Sequence, residues 1–229
     1  MGTTLTPTVL IDGVDIENEM GARLKSEYTV TGLPITNEYI QGRNRTEFNL
    51  LSSVWTLKEI TLPLVIHGKN HAEISRKKTE LVRICFGKKE LFLPDGFFYT
   101  AMLTGAGDIV WNGPFLGEFS LIFLGMQHGA LITTSGHTVY CESTISQTDC
   151  ILTATVSTAA DTYQLGEALF TDVNAGDVLT MDGIHKRVLV NGAPGALKCQ
   201  WLHFPFLVPG ENQITCPDDV TVSYYPCYA

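Results

Sequence analysis

Short apolar-alternating runs punctuated by glycine turns constrain this 229-residue chain more than any other feature. Lys58-Glu59-Ile60-Thr61-Leu62-Pro63-Leu64 alternates apolar and other residues at period two, the mark of a strand with one buried face. Glu90 to Leu93 and Phe97 to Leu103 flank Pro94-Asp95-Gly96, a hairpin signature, and Gly117 to Leu124 reads as a further strand. Thr8 to Ile11, closed by Asp12-Gly13, and Tyr28 to Val30 are shorter candidates. Beyond residue 129 the runs Thr148–Thr158, Asp177–Met181, Lys186–Val190, Leu197–Phe204, Asn212–Cys216 and Val220–Tyr224 all read as strands. Asp182-Gly183, Asn191-Gly192, Pro209-Gly210 and Pro217-Asp218 supply turns between them. Strands so closely spaced, with no helical period among them, predict an antiparallel sandwich or barrel.

One segment breaks the pattern. Asn70 is a favourable N-cap and Glu73 stands three residues on, where its carboxylate reaches back to exposed backbone N–H groups. Ile74, Lys78 (through its stem), Leu81 and Cys85 share a stripe, with Ile84 beside it, while Arg76, Lys77, Glu80 and Arg83 point elsewhere. Gly87 is placed as the residue that stops the helix. The spacing predicts a helix over 71–86. The expected fold is therefore mainly β: an α+β N-terminal domain over 1–129, with one helix packed on a sheet, and an antiparallel β-sandwich over 130–229.

Chemistry is sparse. The chain contains no G-x-S-x-G, P-loop or H-E-x-x-H motif. Asp172 to Asp177 lacks the oxygen spacing and closing Glu of a calcium loop, and Asp12 to Asp15 reads as a turn. His67 and His71 straddle Gly68 and the Asn70 cap, a poor placement for a shared metal. The six cysteines form no C-x-x-C pair and are read as reduced thiols. No catalytic, metal or cofactor residues are assigned, and the chain is not expected to be an enzyme.

A net charge of −9, from 15 basic and 24 acidic residues, argues against a nucleic-acid-binding surface. No apolar run approaches a membrane span, so insertion is not expected. Met1-Gly2 with Thr6 meets the loose N-myristoylation pattern, which is too short to carry weight. Trp201 sits among apolar neighbours that favour core packing. By contrast, Trp55 follows the polar Gly42–Thr46 loop, on a stretch that combines arginines with large apolar groups as interfaces do.

With these elements in order, the chain resembles the distal tail (Dit) proteins of siphophage tail tips from about Val9 to Tyr225. Leu10-Ile11-Asp12-Gly13-Val14-Asp15 is similar to the family's first strand and turn. Gln41-Gly42-Arg43-Asn44-Arg45-Thr46 resembles its glycine-arginine loop, with Arg45 where a second glycine is commoner. Phe204 to Thr215, with Pro205, Pro209, Gly210, Asn212 and Ile214, is the most specific phrase; Cys227-Tyr228-Ala229 departs from a basic, aromatic ending.

The resemblance implies a ring-forming N-terminal domain and a galectin-like C-terminal β-sandwich. Six copies would form a hexameric ring joining the tail tube protein to the tail-tip (tail-associated lysin or fibre) protein and to receptor-binding proteins. The place implied is the tail tip of the virion, after assembly in the host cytoplasm, with DNA passing through unbound. The net negative charge suits such a lumen. Arg43, Arg45, Phe48 and Trp55 are the candidate subunit-interface residues, on an arm embracing a neighbour. The rival reading is a free galectin-like carbohydrate-binding module without a ring role.

Overall fold

The computed structural model describes residues 8–32, 34–43 and 47–229. The fold is mainly β, and the chain divides into two compact units, Met1–His128 with Ala229, and Gly129–Tyr228.

The N-terminal unit is built on one antiparallel pair. Lys58–His67 lies against Leu116–His128 over ten paired positions, from Lys58↔Gly125 to His67↔Leu116. Strict alternation sends Ile60, Leu62, Leu64, Ile66, Phe119, Leu121 and Phe123 to one face, all at most 5% exposed. Each such side chain contributes about 1.5–3 kcal/mol when fully buried. Outward from this pair, the sheet continues through Phe98–Ala106, Lys88–Phe92, Leu10–Ile11 and Val14–Asp15 on one side, and through Ala22–Leu24 on the other. Gly125 is required where it sits, because a Cβ there would lie 2.6 Å from the Ala101 Cβ and 2.9 Å from the Thr100 carbonyl.

Among the described residues there are two α-helices where the sequence predicts one. The first, α1 (Ile16–Met20), is a single capped turn: the Asp15 carboxylate accepts from Glu17 N and Asn18 N, and Gly21 closes it at φ 67°. It buries only Ile16, which gives no periodic stripe to read. The second, α2 (His71–Ile84), has the anticipated Asn70 cap, with Asn70 Oδ1 accepting from Glu73 N at 2.9 Å and Glu73 Oε2 accepting from Lys69 N. Ile74, Leu81 and Cys85 are fully buried in the core, and the Lys78 ammonium stands over the Phe119 ring and donates to the Gly107 carbonyl. α2 ends at Ile84 with Cys85 as its cap, two residues short of the left-handed Gly87: Cys85 N makes the last i→i−4 bond, to the Leu81 carbonyl, and Phe86 N turns back to the Arg83 carbonyl instead.

The C-terminal unit is an antiparallel sandwich. One sheet runs Ile132–Ser135, Val220–Tyr224, Thr148–Thr155, Val178–Asp182, Arg187–Val190 and Ala193–Pro194, with Phe206–Leu207 also on Thr148–Thr155. Ala160–Leu165, Ala168–Val173 and Cys199–Gln200 form a three-stranded sheet, and Thr138–Cys141 pairs with Gly210–Gln213 as a separate ribbon. Their inward residues share one core that includes Cys150, Leu152, Leu165, Phe170, Leu179, Val222 and Tyr224.

The expected strand Leu197–Phe204 is instead a 3-10 turn, Ala196–Lys198, followed by two strand residues and an irregular stretch carrying the half-buried Trp201. Ladder hydrogen bonds reach only Cys199 and Gln200 there. The Asn212–Cys216 run shifts to Gly210–Gln213, and the Ile132, Thr138, Ala160 and Ala168 strands went unread because polar residues dilute their alternation. All six cysteines are free thiols. Burial pushes Cys150 up to about 12 and Cys85 up to about 11, so these thiols stay protonated and unreactive.

The Asp182-Gly183 turn locks the sandwich. Burial raises the pKa of the Asp182 carboxyl, but hydrogen bonds from Arg187 and His185 outweigh it and hold the group below the ordinary carboxylate range. A folded-state value below the unfolded one stabilises the fold above the unfolded pKa and is lost as pH falls through the folded one. Asp182→Asn is expected to lower stability by roughly 1–2 kcal/mol at neutral pH. In urea titrations the gap to wild type should stay constant above about pH 5 and close in acid. At Gly183 a Cβ would lie 2.4 Å from the Pro205 carbonyl oxygen and 2.6 Å from that of Cys150. Gly183→Ala is therefore expected to cost about 2–3 kcal/mol by the same titration, with the N-terminal unit's unfolding unchanged.

Candidate assembly surface

Ile35–Gln41 and Phe48–Trp55 form a two-stranded antiparallel ribbon of their own. Its base is fastened where Thr56 N donates to the Pro34 carbonyl at 2.8 Å and Thr56 Oγ1 donates to the same oxygen. Thr31 N to Glu59 O, and Glu59 N to Thr31 Oγ1, tie the adjoining chain to the sheet. From there the ribbon is held by itself. Every described residue along both strands is exposed except the partly covered Ser52.

The register places Ile35 opposite Trp55, Asn37 opposite Ser53, Tyr39 opposite Leu50 and Gln41 opposite Phe48. Leu51 is the extra residue of a bulge between Glu38 and Tyr39. Tyr39 and Phe48 meet edge to face with centroids 5.6 Å apart, and Ser53 Oγ donates to Asn37 Oδ1 at 2.6 Å. Asn37, Tyr39, Gln41, Phe48 and Leu50 enclose a shallow groove of about 410 Å³.

Ile35, Tyr39, Ile40, Phe48, Leu50, Leu51, Val54 and Trp55 are 39–60% exposed. Together they offer on the order of 800 Å² of apolar surface, the area each partner contributes to a standard protein interface. An isolated two-stranded ribbon is marginal in water, and a long apolar one with free edges invites pairing with another chain.

Of the sequence-predicted residues, Phe48 and Trp55 lie on this ribbon and Arg43 is exposed at its turn. Arg45 lies outside the described residues. Sequence reasoning missed Ile35, Tyr39, Ile40 and Val54. The available signal was the pair of β-branched and aromatic runs placed symmetrically about the polar Gly42 turn.

The remaining candidates have local roles. His71 stacks on Trp111 at 4.0 Å and its Nε2 lies 3.1 Å from the Gly113 carbonyl, so it braces a loop instead of facing solvent alone. The Asp177 carboxylate accepts from Asn174 N and Asn191 Nδ2, as a turn does. Among the described residues no group of three or more His, Cys, Asp or Glu side chains is placed to hold a metal ion.

Charge is divided unevenly. Gly129–Tyr228 carries ten acidic and three basic residues, a balance of −7, which leaves −2 for the rest of the chain. The net acidity that suits a DNA-conducting lumen thus belongs mostly to the C-terminal unit, not to the half read as ring-forming.

No family model and no curated protein matches this chain. Solved structures do. The crystal structure of the SPP1 Dit (gp 19.1) protein, described as a paradigm of the hub adsorption apparatus in phages infecting Gram-positive bacteria, matches with a TM-score of 0.80 at 13% identity, over 97% of this chain and 99% of that one. The phage P2 baseplate in its activated conformation with Ca matches with a TM-score of 0.53 at 10% identity, covering 97% and 98%. The same baseplate with Sr matches at 0.52 and 11%, covering 96% and 97%. Over nearly its whole length, this chain has the fold of phage distal tail and baseplate hub proteins.

Proposed function

We propose that this protein is a structural, non-enzymatic subunit of a phage tail tip. Six copies form a ring that joins the tail tube to the tail-tip protein and the adsorption apparatus, including receptor-binding proteins. The N-terminal unit makes the ring, and the C-terminal unit is a galectin-like sandwich. DNA passes through without specific binding. The place of action is the tail tip of the virion, after assembly in the host cytoplasm.

The observation that carries this reading is the Ile35–Trp55 ribbon. None of the described residues of its two strands is buried within the subunit, yet they present enough apolar area for a stable interface. A ring of identical subunits needs a heterologous contact, in which one surface of each copy meets a different surface of the next. A projecting arm supplies one such surface without disturbing the core. Phe48 and Trp55, with Arg43 at the turn, are the proposed anchors, and Arg45 is proposed with them from the sequence, since aromatic and arginine side chains dominate binding energy at interfaces. The likeness in fold to the SPP1 hub protein supports the same role.

Light scattering after size exclusion, with negative-stain imaging, tests this. Six copies of 25.1 kDa give rings of about 150 kDa. Phe48→Ser combined with Trp55→Ala is expected to yield monomers whose melting temperature stays within about 2 °C of the wild-type subunit. Arg43→Ala in the otherwise wild-type chain should weaken the ring. Rings that persist in the double variant would remove the arm from the interface, and a wild-type chain monomeric at every concentration would refute the ring.

A further inference from the structure

The N-terminal sheet has two faces, and α2 packs on one of them. Along Leu116–His128, Phe119, Leu121 and Phe123 point into that core. The alternate positions Glu118, Ser120, Ile122 and Leu124 point outward and stay half-buried. The register extends the outward face across neighbouring strands: Leu124 is opposite Met102, Ser120 opposite Pro63, and Glu118 opposite Val110. Met102 and Val110 are 45% and 61% exposed. An antiparallel sheet with one face on its core ordinarily turns polar residues to water on the other. Here Met102, Val110, Ile122 and Leu124 stand there instead, and none of the four belongs to the unit's core cluster.

One end of this face is acidic. Pro63, Asp108, Val110 and Glu118 line a groove of about 320 Å³, together with Lys25, which pairs with Glu118. Asp108 is exposed, and no described cation pairs with it. The ribbon is complementary in pattern, length and charge. Its register puts Ile35, Tyr39, Phe48, Leu50 and Trp55 on one face, and Arg43 is exposed at its turn. Ile35 to Gln41 and Glu118 to Leu124 each span six residue steps, about 20 Å. Neither surface is covered by the other within one subunit, since the ribbon strands, Met102 and Val110 are all exposed.

We propose that this outward sheet face receives the Ile35–Trp55 ribbon of a second copy of the chain. The ribbon's apolar face lies on Met102, Ile122 and Leu124, and its Arg43 guanidinium enters the groove beside Asp108. Two antiparallel sheets pack face to face about 10 Å apart with their side chains interdigitated, which a flat ribbon on a flat sheet allows. An arginine–carboxylate contact at one end fixes the direction in which the ribbon lies. The proposal rests on the ring reading and adds the second surface that a head-to-tail contact requires on each copy.

The face variant Met102→Glu with Leu124→Ser is expected to be monomeric by light scattering, melting within about 3 °C of the wild-type subunit. Mixed in equal amounts with the arm variant Phe48→Ser, Trp55→Ala, it should yield a dimer of about 50 kDa and no ring, because one intact arm and one intact face remain between them. A charge exchange tests the same contact without touching the apolar face. Arg43→Glu and Asp108→Arg should each weaken assembly about tenfold, and the two together should recover it to within about threefold of wild type. Rings that persist in the face variant overturn the proposal and leave the face to a different protein. So do monomeric variants that form no dimer when mixed, with a charge exchange that recovers nothing, while the wild-type chain still forms rings. A wild-type chain monomeric at every concentration removes the ring reading and this face together, which separates the two failures.

Discussion

The ladder between Lys58–His67 and Leu116–His128 is the interaction on which the N-terminal unit depends. One face of that pair supplies Ile60, Leu62, Leu64, Ile66, Phe119, Leu121 and Phe123 to the apolar core, and α2 packs on it through Ile74, Leu81 and Cys85. The close approach at Gly125 lets the Phe98–Ala106 strand pack on the same pair, which in turn positions Lys88–Phe92 and the first strands. Because Lys58 begins this ladder only three residues after Trp55, the apolar ribbon leaves from the most constrained part of the unit. A rigid root and an unpacked shaft are what a structural arm needs. Its hydrogen bonds hold its shape, and its side chains stay available for a surface outside the subunit.

The two units differ in how they present surface. The N-terminal one exposes apolar area on a ribbon and carries a small net charge. The C-terminal one exposes acidic and amide groups on a firmly packed sandwich. Apolar area favours permanent contacts, while a polar, charged surface favours reversible and selective ones.

Buried polar groups show the same economy. Asp182, the most buried carboxylate of the sandwich, is satisfied by His185 and Arg187 from its own hairpin, so its burial needs no distant partner. Lys58 is 5% exposed; desolvation lowers its pKa, the field of Asp95 opposes that, and its ammonium donates a hydrogen bond to Gln127 Oε1 at 2.7 Å. Asp182 is thus matched within its own hairpin, whereas Lys58 is met from the Leu116–His128 strand.

The sequence by itself determined the elements whose physics is local. Period-two alternation marked the Lys58 and Leu116 strands, the Asn70 cap and the Ile74–Leu81–Cys85 stripe marked α2, and Pro94-Asp95-Gly96 marked a hairpin, because each signal lies within a few residues. Tertiary structure alone decided the rest. Leu197–Phe204 is apolar enough for a strand but has partners only at Cys199 and Gln200. The single turn of α1 is too short for a period. Whether the apolar residues of 35–55 face a core or solvent depends on what packs over them. Exposure and cross-strand pairing are properties of contacts between distant segments, which no local pattern encodes.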